Sequence, residues 1–531
     1  MGLLFIAIIL IMALFAINLS DKSGIPSLLL FLTLGIICKL LGISFDNYEL
    51  AEGVSTFALV VIMFYGGFGT NWKMGKPVVR EAVVLASLGV VSTALLTGAF
   101  VHFFFKLPLI ESMLLGSIVG STDYASVSNI LASKNLNLKY NSASLLELES
   151  GSNDPTAYTM TMLFLSLEAG SDVSVPLLIL KQFILGALIG FAFAYIVSKI
   201  VLKINMQKDG LAIVFMASVA LLTYSFTNVI GGNGFLAAYI FGIFIGNKPF
   251  VGKKDIVFFF DGFTELMSIG LFFTLGLLAN PENILLTLPI AFIIMIFMTF
   301  VARPLSVVAL MLPFKLKRNQ LTVISWAGLR GAAAIAFAIM AVNSTSNLTI
   351  DIYHIVFGIC FLSCLAQGSF MAYVSKKTDM IDPNDTVLKT FNFYVDKSDI
   401  SFMQTLVTEG SSLIGKKVKD LDMALGFIVA KIERDGNTIV PKGNTEFKEG
   451  DVVIVAGEEY FDYQGEEIVE FSATGLHPWI GKRIVDLNLK HNKLILTINR
   501  KGKFIRASGD TVISDGDRIL LMTDDHINFD K

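Results

Sequence analysis

The sequence contains few charged residues and very few cysteines or histidines. Only 16% of its residues are charged while 54% are apolar, a balance that excludes an ordinary water-soluble globular protein. The formal net charge of −3 excludes a broad basic surface, so we expect no nucleic-acid partner. Cys38, Cys360 and Cys364 lie in apolar stretches without the spacing of a zinc or disulfide site, and we expect them to be packing residues. None of the five histidines begins His-Glu-x-x-His, and no other catalytic set gathers in one place, so the sequence does not predict an enzyme.

Charge is divided unevenly along the chain. Asp, Glu, Lys and Arg number 39 in residues 1–376, about 10%, and 46 in residues 377–531, about 30%. The first composition is typical of a membrane-embedded domain and the second of a domain in water. We therefore expect a membrane domain at 1–376, a linker at 377–400 and a water-exposed tail after it.

The first 376 residues predict an α-helical polytopic membrane protein. A helix needs roughly 20 mainly apolar residues to cross a bilayer, and this region divides into thirteen such stretches separated by short polar turns. The approximate spans are 2–19, 25–43, 53–70, 78–104, 109–131, 142–169, 177–201, 210–229, 234–248, 255–279, 283–313, 319–342 and 349–375.

Lysine and arginine predict the orientation of these spans. Seventeen of them fall in one alternating set of loops, against three near the opposite ends, Lys39, Lys106 and Lys181. Because short loops rich in Lys and Arg stay on the cytoplasmic side, we expect the N-terminus outside the cell membrane and the tail in the cytoplasm.

Few ionisable side chains remain at membrane depth, where each costs at least ~2.5 to 3.5 kcal/mol on insertion scales and needs a partner or a purpose. They are Asp123, Glu149, Asp154, Arg303 and Arg330, with Glu147 and Glu265 nearer the ends of their spans. Two arginines can neutralise two of the three deep acids, so one carboxylate is left to take a proton or a cation. The alternative is that these charges only cross-link helices.

Asp123 and Arg330 lie in stretches rich in glycine and polar residues, at 116–126 and 326–332. Helices broken at corresponding positions of two halves are typical of the substrate site of a transporter, where freed backbone carbonyls can bind a cation. Glycine is also common in membrane helices simply because it permits close packing.

The sixth span carries the most specific stretch, which runs from Glu147 to Thr156. Ser150 and Asp154 are four residues apart and share a helix face, whereas Glu149 lies about 140° around the helix from Asp154. The two acids therefore serve different neighbours. Asp154 with Ser150 can face Asp123 and bind a hard monovalent cation, and Glu149 can pair with an arginine. Pro155 removes a backbone donor and loosens the helix at this depth.

Four motifs together resemble the cation/proton antiporter superfamily, on the sodium/proton exchanger (NhaP-like) branch. They are Gly120-Ser-Thr-Asp123, Glu149-Ser-Gly-Ser-Asn-Asp154, Ala302-Arg-Pro304 and Gly328-Leu-Arg-Gly331. The resemblance implies two inverted repeats with two broken helices that cross at the midplane, and a homodimer that works by an elevator-like movement.

The same resemblance implies the roles of individual residues. Asp154 would bind cation and proton in competition, and Asn153 would hold the helix crossing. Glu149 would pair with Arg303, and Arg330 would steady the second broken helix. The further cation ligands would be the Thr122 backbone carbonyl, Asp123 and Ser150.

Two positions bear on the ion and the stoichiometry. Asn153, in place of a second Asp, resembles the electroneutral exchangers. The family often has an acid before the Gly-Gly of the third span, and Tyr65 stands there instead. We expect Tyr65 to line the site, and the missing carboxylate to favour the less strongly hydrated K⁺ over Na⁺. A Na⁺-selective exchanger is the alternative.

The tail contains a duplicated module. Residues 414–456 and 480–522 align without a gap at an offset of 66, with thirteen identities in 43 positions. Each copy predicts a short helical segment, alternating strands, a turn at Asp435-Gly436 or its counterpart, and a final strand.

This module resembles the C-terminal subdomain of proteins that regulate potassium conductance (RCK-C or TrkA-C), present at 401–460 and 461–531. In that family such modules dimerise, and some bind a small anionic ligand such as cyclic di-AMP. The alternative is a pair of modules used only for assembly. No Gly-x-Gly-x-x-Gly follows a strand in the tail, so NAD or ATP sensing is disfavoured, and we expect no resident cofactor.

A potassium channel gated by such modules is the alternative from another class. It would explain the tail, but its Thr-Val-Gly-Tyr-Gly filter is missing from the sequence. The sequence therefore favours an exchanger.

Overall fold

The chain folds into two compact units, Met1–Val395 and Asp396–Lys531, and the division falls inside the predicted linker. The computed structural model describes residues 2–23, 26–43, 45–123, 137–170, 174–201, 210–248, 250, 253–345, 348–382, 400–408, 411, 413–421, 428–434, 437–458, 468–475, 477–487, 489, 493–500 and 503–523.

The described part of the first unit is helical. Its helices are α1 (Gly2–Ser23), α2 (Ser27–Leu40), α3 (Tyr48–Gly69), α4 (Lys76–Phe105), α5 (Leu109–Ile118), α6 (Ser142–Glu168), α7 (Val175–Val201), α8 (Leu211–Val229), α9 (Gly234–Gly246), α10 (Lys253–Leu278), α11 (Pro281–Phe314), α12 (Arg318–Trp326), α13 (Ala332–Ser344) and α14 (Ile352–Lys377). A single turn at Trp72–Gly75 precedes α4. Among the described helices, seven are long and apolar enough to cross a membrane.

The helices follow the predicted spans, with one difference at the end of the fifth span. The twelfth span contains both α12 and α13, as expected for a broken helix. The fifth span was predicted to run to residue 131, but α5 ends at Ile118 and the chain is not helical up to Asp123. Glycine and β-branched or polar residues at 119–123 weaken the helix there, because they favour other backbone conformations. Residues 124–136 lie outside the described part.

Asparagine and aspartate fix where several helices begin. The side chains of Asn47, Asn233, Asn280 and Asp351 each accept a hydrogen bond from a backbone N–H in the first turn of α3, α9, α11 and α14. Such caps satisfy N–H groups that have no partner within the helix, which matters most in an apolar surrounding.

Glycines allow the closest helix contacts near the centre of the unit. α3 packs against α9, and a side chain at Gly67, Gly242 or Gly246 would collide with the backbone of the opposite helix. Small residues let membrane helices approach closely where lipid provides no hydrophobic driving force. This contact holds Tyr65 of α3 and Tyr239 of α9 at fixed positions.

The start of the predicted linker is part of the membrane unit. Leu138 and Ile381 form an isolated antiparallel bridge, and the Lys139 N–H donates to the Met380 carbonyl at 2.8 Å. Met380 is fully buried. Residues 380–382 therefore contact the membrane unit, because an apolar Met-Ile pair follows the charged end of α14. Residues 383–399 lie outside the described part.

The tail unit contains two sheets of the same topology. The strands are β1 (Ile400–Leu406), β2 (Ile428–Arg434), β3 (Asn437–Ile439), β4 (Val452–Glu458), β5 (Ile468–Ala473), β6 (Lys493–Arg500), β7 (Lys503–Arg506) and β8 (Asp517–Thr523). The orders are β1-β4-β2-β3 and β5-β8-β6-β7, and all pairs are antiparallel.

Matching details confirm the duplication. The register shifts between Val429 and Lys431 in one sheet and between Ile495 and Thr497 in the other, 66 residues later. Short 3₁₀ turns at Val418–Asp420 and Ile484–Leu487 occupy the predicted helical segments. The predicted turn at 435–436 lies outside the described residues.

Candidate functional site

Two interrupted helices meet directly at the candidate site. After α5 the chain runs through Gly120 to Asp123 without helix, and the second interruption separates α12 from α13 at 327–331. The Asp123 N–H donates to the Leu329 carbonyl at 2.8 Å. The interruptions therefore satisfy each other's backbone groups, which could not remain unpaired inside a membrane.

Arg330 strengthens this crossing from its centre. Its Nη1 donates to the Gly120 carbonyl at 2.8 Å and to the Ser121 carbonyl at 2.5 Å, and the residue is 2% exposed. These contacts agree with the expected steadying of the second broken helix. Both of these acceptors are backbone carbonyls, whereas the charge count along the sequence predicts that Arg330 could neutralise an acid.

Two cysteines and a serine form hydrogen bonds with the backbone of the second interruption. The Arg330 N–H donates to Ser363 Oγ at 3.2 Å, and Cys364 Sγ donates to the Arg330 carbonyl at 3.2 Å. Cys360 Sγ donates to the Gly331 carbonyl at 3.5 Å. These cysteines were predicted to serve packing alone, and they also satisfy carbonyls that the broken helix leaves without a partner.

α6 is tied to the first interruption through Thr122. Ser150 Oγ donates to the Thr122 carbonyl at 2.6 Å. Asn153 Nδ2 donates to the same carbonyl at 3.2 Å and to Thr122 Oγ1 at 2.5 Å. Asn153 is fully buried and Thr122 is 4% exposed. Three predicted site residues thus meet at one carbonyl, with Asn153 in the position expected for a residue that holds the crossing.

Asp154 lies beside this crossing and faces a cavity. Its carboxylate lies near the Ser121 side chain and within electrostatic range of Asp123. The cavity has a volume of about 250 Å³, and its wall includes Asp154, Asp123, Ser150 and Thr122. The structure therefore brings the predicted cation-binding residues together around one space.

Gly331 allows Asp123 to approach the start of α13. A Cβ at Gly331 would lie 2.5 Å from both Cβ and Oδ2 of Asp123. Gly331, Ala332 and Ala333 also line the cavity. The N-terminus of a helix carries a partial positive charge, so α13 contributes favourable electrostatics beside the Asp123 carboxylate without a basic side chain.

Glu149 and Arg303 form the expected ion pair on the opposite side of α6. Arg303 Nη2 lies 2.5 Å from Glu149 Oε1, and the side chains are 2% and 1% exposed. Arg303 follows a π-helical turn at Met298–Ala302, which turns its side chain relative to the preceding helix. Two buried charges of opposite sign in contact avoid most of the cost of isolation.

No arginine or lysine in the described part of the chain forms an ion pair with Asp154. Asp154 shares the cavity wall with oxygen-bearing side chains such as Asp123 and Ser150 and with apolar residues such as Leu59. Glu149 and Asp154 are five residues apart on one helix, yet Glu149 contacts an arginine, whereas Asp154 has no such ion pair among the described residues.

Tyr65 lines the cavity as expected, and it brings an acid that the sequence argument missed. Its hydroxyl donates to Asp261 Oδ1 at 3.1 Å. Asp261 lies on α10, 196 residues away along the chain. Although position 65 holds no acid, Asp261 therefore supplies a carboxylate at this side of the cavity. The signal in the sequence is the helical spacing of Asp261, Thr264, Glu265 and Ser268 within an apolar span.

Family comparisons agree with this geometry. Residues 6–377 match the family described as "Sodium/hydrogen exchanger, transmembrane", and residues 402–459 and 468–527 each match the TrkA-C domain. A K⁺/H⁺ antiporter NhaP2 of Shewanella oneidensis is 33% identical over 456 residues, which cover 83% of this chain and 78% of the relative. A K⁺/H⁺ antiporter NhaP of Alkalimonas amylolytica is 30% identical over 462 residues, which cover 85% of this chain and 80% of the relative.

Among solved structures, the sodium proton antiporter MjNhaP1 of Methanocaldococcus jannaschii at pH 8 has the same fold, with a TM-score of 0.64. It is 21% identical, and the match covers 71% of this chain and 98% of that one. The crossing, the cavity and the matches to family and fold lead to one conclusion. The chain belongs to the transmembrane sodium/hydrogen exchanger family, and it is a monovalent cation/proton antiporter that carries two TrkA-C domains.

Proposed function

We propose that this antiporter exchanges K⁺ for H⁺ without net charge movement, with Asp154 as the shared binding group. The observation that carries the proposal is the Asp154 carboxylate in a cavity lined by further oxygen donors, with no arginine or lysine paired to it among the described residues. A carboxylate that holds a proton loses its charge, and with it the attraction for a metal ion. The two ions therefore compete for one position.

The other site residues have supporting roles in this proposal. Ser150, Asp123 and the Thr122 carbonyl supply oxygen ligands of the kind that hard monovalent cations accept. Asn153 holds the crossing without adding a charge, so one cation leaves for each proton that enters. Glu149 with Arg303, and Arg330 with the Gly120 and Ser121 carbonyls, keep the two interruptions in register.

The choice of K⁺ over Na⁺ rests on the relatives. The two K⁺/H⁺ antiporters named above match most of this chain at 33% and 30% identity, whereas the sodium proton antiporter is 21% identical. The presence of Tyr65 in place of an acid is weaker support for K⁺ selectivity, because Asp261 supplies a carboxylate at that side of the cavity. A potassium channel is not favoured, since the family consists of exchangers.

Proteoliposome flux measurements test this proposal. We expect proton flux driven by K⁺ and Rb⁺ gradients to exceed flux driven by Na⁺, and the rate to be the same at zero and at imposed membrane voltage. Protein carrying Asp154→Asn serves as the control for leak. A larger flux with Na⁺ would contradict the choice of ion, and a rate that depends on voltage would contradict electroneutral exchange.

We further propose that the protein is a homodimer in the cell membrane, with its N-terminus outside and a cytoplasmic tail that regulates transport. The alternation of basic loops supports the orientation, and the two TrkA-C domains support regulation by a small anionic ligand such as cyclic di-AMP. Deletion of residues 400–531 should shift the pH or K⁺ threshold for activity and leave exchange intact. Complete loss of exchange in correctly folded protein would contradict a purely regulatory tail.

A further inference from the structure

The cavity around Asp154 has a second group of acids that the helix crossing does not use. Glu147 of α6 and both Asp261 and Glu265 of α10 line the same 250 Å³ space. Tyr65 and Tyr239 line it as well. An acid inside an apolar helix is costly to insert into a membrane, so three acids on two helices that border one cavity need a purpose.

Helical spacing places these acids on the cavity side of α6 and α10. Glu147 precedes Asp154 by seven residues, which places both on one face of α6 about 10.5 Å apart along the axis. On α10, Asp261, Thr264 and Glu265 follow helical spacing and line the same cavity. Asp261 is exposed and Glu147 is buried. The acids therefore border the same cavity as Asp154, and Asp261 is more exposed than Glu147.

Glu147 gives the most direct indication that something binds in this part of the cavity. It is 8% exposed, and its Oε1 atom is buried without a hydrogen-bond partner in the described part of the chain. The Tyr239 hydroxyl oxygen is also buried without a hydrogen-bond partner in the described part of the chain, and Tyr239 is 3% exposed. Glu147 lies close enough for its charge to act on Tyr239. Two unsatisfied oxygen atoms that border one cavity are costly unless something binds there.

The ring of Tyr239 is held in place by α6 itself. A Cβ at Gly151 would lie 2.7 Å from the Tyr239 hydroxyl oxygen, so this glycine leaves room for the tyrosine between Glu147 and Asp154. The Tyr65 hydroxyl, which donates to Asp261, lies at the wall of the same space. The cavity is large enough for an ion that keeps several of its water molecules.

We propose that Glu147 and the Tyr239 hydroxyl, with Asp261 across the cavity, form a second binding site for a monovalent cation, two helical turns from Asp154. A cation binds there before it reaches Asp154, or after it leaves. The carboxylate supplies charge and the phenol oxygen supplies a neutral ligand, the donor types that suit a hard cation. This site rests on the proposed cation exchange at Asp154, and it adds a binding step with residues of its own.

Kinetics of the full-length protein in proteoliposomes test the second site. Glu147→Gln should raise the KM for K⁺ about five- to tenfold and change kcat less than twofold. Glu168→Gln is the matched control, because it makes the same change on the same helix away from the cavity wall. A KM equal to that of the control would overturn the proposal. So would a lower kcat at unchanged KM, which would indicate a structural or proton-transfer role.

Tyr239→Phe keeps the ring against Gly151 and removes only the hydroxyl. It should raise the KM for K⁺ about two- to threefold. If Glu147→Gln does not fold, Tyr239→Phe and Asp261→Asn decide the matter, and an unchanged KM in both overturns the proposal.

Equilibrium binding of Rb⁺ separates this proposal from the proposed function. Protein with Asp154→Asn should lose exchange but still bind Rb⁺ weakly, and the addition of Glu147→Gln should abolish that binding. Loss of all Rb⁺ binding in Asp154→Asn alone would overturn the second site and leave the role of Asp154 intact. Retained exchange in Asp154→Asn would instead contradict the proposed function.

Discussion

The tail and the membrane unit both bury carboxylates, but they neutralise them differently. Asp451 and Asp517 are fully buried in the two tail sheets, and each accepts two hydrogen bonds from one arginine at 2.7 to 2.8 Å, Arg434 and Arg500. These arginines hold the pKa of both aspartates below its usual range. Asp154 borders a cavity instead, and no arginine or lysine among the described residues pairs with it.

An arginine partner distinguishes the structural carboxylates from Asp154, for which we propose an exchange between a proton and a cation. A guanidinium is always protonated and binds a carboxylate through two parallel hydrogen bonds, so such a pair is permanent. Glu149 with Arg303 follows the tail pattern inside the membrane unit. A carboxylate without such a partner binds whichever positive ion reaches it. Four predictions test whether the two kinds of carboxylate differ in this way.

Asp154→Asn should have the largest effect. We expect proton flux to fall to the level of empty liposomes while the protein elutes and melts like the wild type, because an amide cannot alternate between a proton and a metal ion. Asp255→Asn, at the exposed start of α10, is the control and should leave flux unchanged. Undiminished cation-driven flux in Asp154→Asn would refute the assignment.

Arg303→Ala should lower the yield of folded protein, with a loss of about 3 to 5 kcal/mol in stability, because it leaves a buried charge without its partner. Thermal unfolding in detergent measures the loss. Adding Glu149→Gln should recover part of it, since the remaining group is then neutral. Arg318→Ala, exposed at the start of α12, is the matched control. If the double variant is no more stable than Arg303→Ala, the pair does not have this role.

Arg500→Ala should destabilise the second tail sheet by about 1.5 to 3 kcal/mol, because it removes hydrogen bonds to a buried carboxylate. Trp479 packs against Phe471 in that module and can report its unfolding in urea, once Trp72 and Trp326 are replaced by Phe. Arg483→Ala removes an exposed ion pair with Asp486 in the same module and should have a much smaller effect on stability, because solvent screens exposed charges. Equal losses in the two variants would contradict the structural role of Arg500.

The Arg500 effect should also depend on pH. Hydrogen bonds from Arg500 lower the pKa of Asp517 in the folded state. Their stabilisation is therefore full above the unfolded pKa of about 3.9 and is lost as the pH falls through the lower folded value. The stability difference between wild type and Arg500→Ala should narrow below about pH 4 in the same Trp479 assay. A constant difference from pH 7 to pH 3 would show that Asp517 does not supply it.

Local pattern predicted the parts of the site that lie on one helix. The spacing of Ser150 and Asp154 indicated a shared face, and both line the cavity. Sequence could not predict the Tyr65–Asp261 hydrogen bond, because α3 and α10 are far apart in the chain and their rotation follows from packing. For the same reason the charge count at membrane depth did not reveal that Arg330 binds the Gly120 and Ser121 carbonyls.

Composition and self-similarity along the chain were enough to predict a membrane domain at 1–376, a duplicated module in the tail, and most of the acids at membrane depth. These properties depend on composition, periodicity and self-similarity, which are read along the chain. The folded structure was needed to identify the partners of Arg330 and Tyr65 and the full set of acids that border the cavity. Coulomb energy and hydrogen bonding depend on distances of a few ångströms between helices, and those distances are set by how the helices pack.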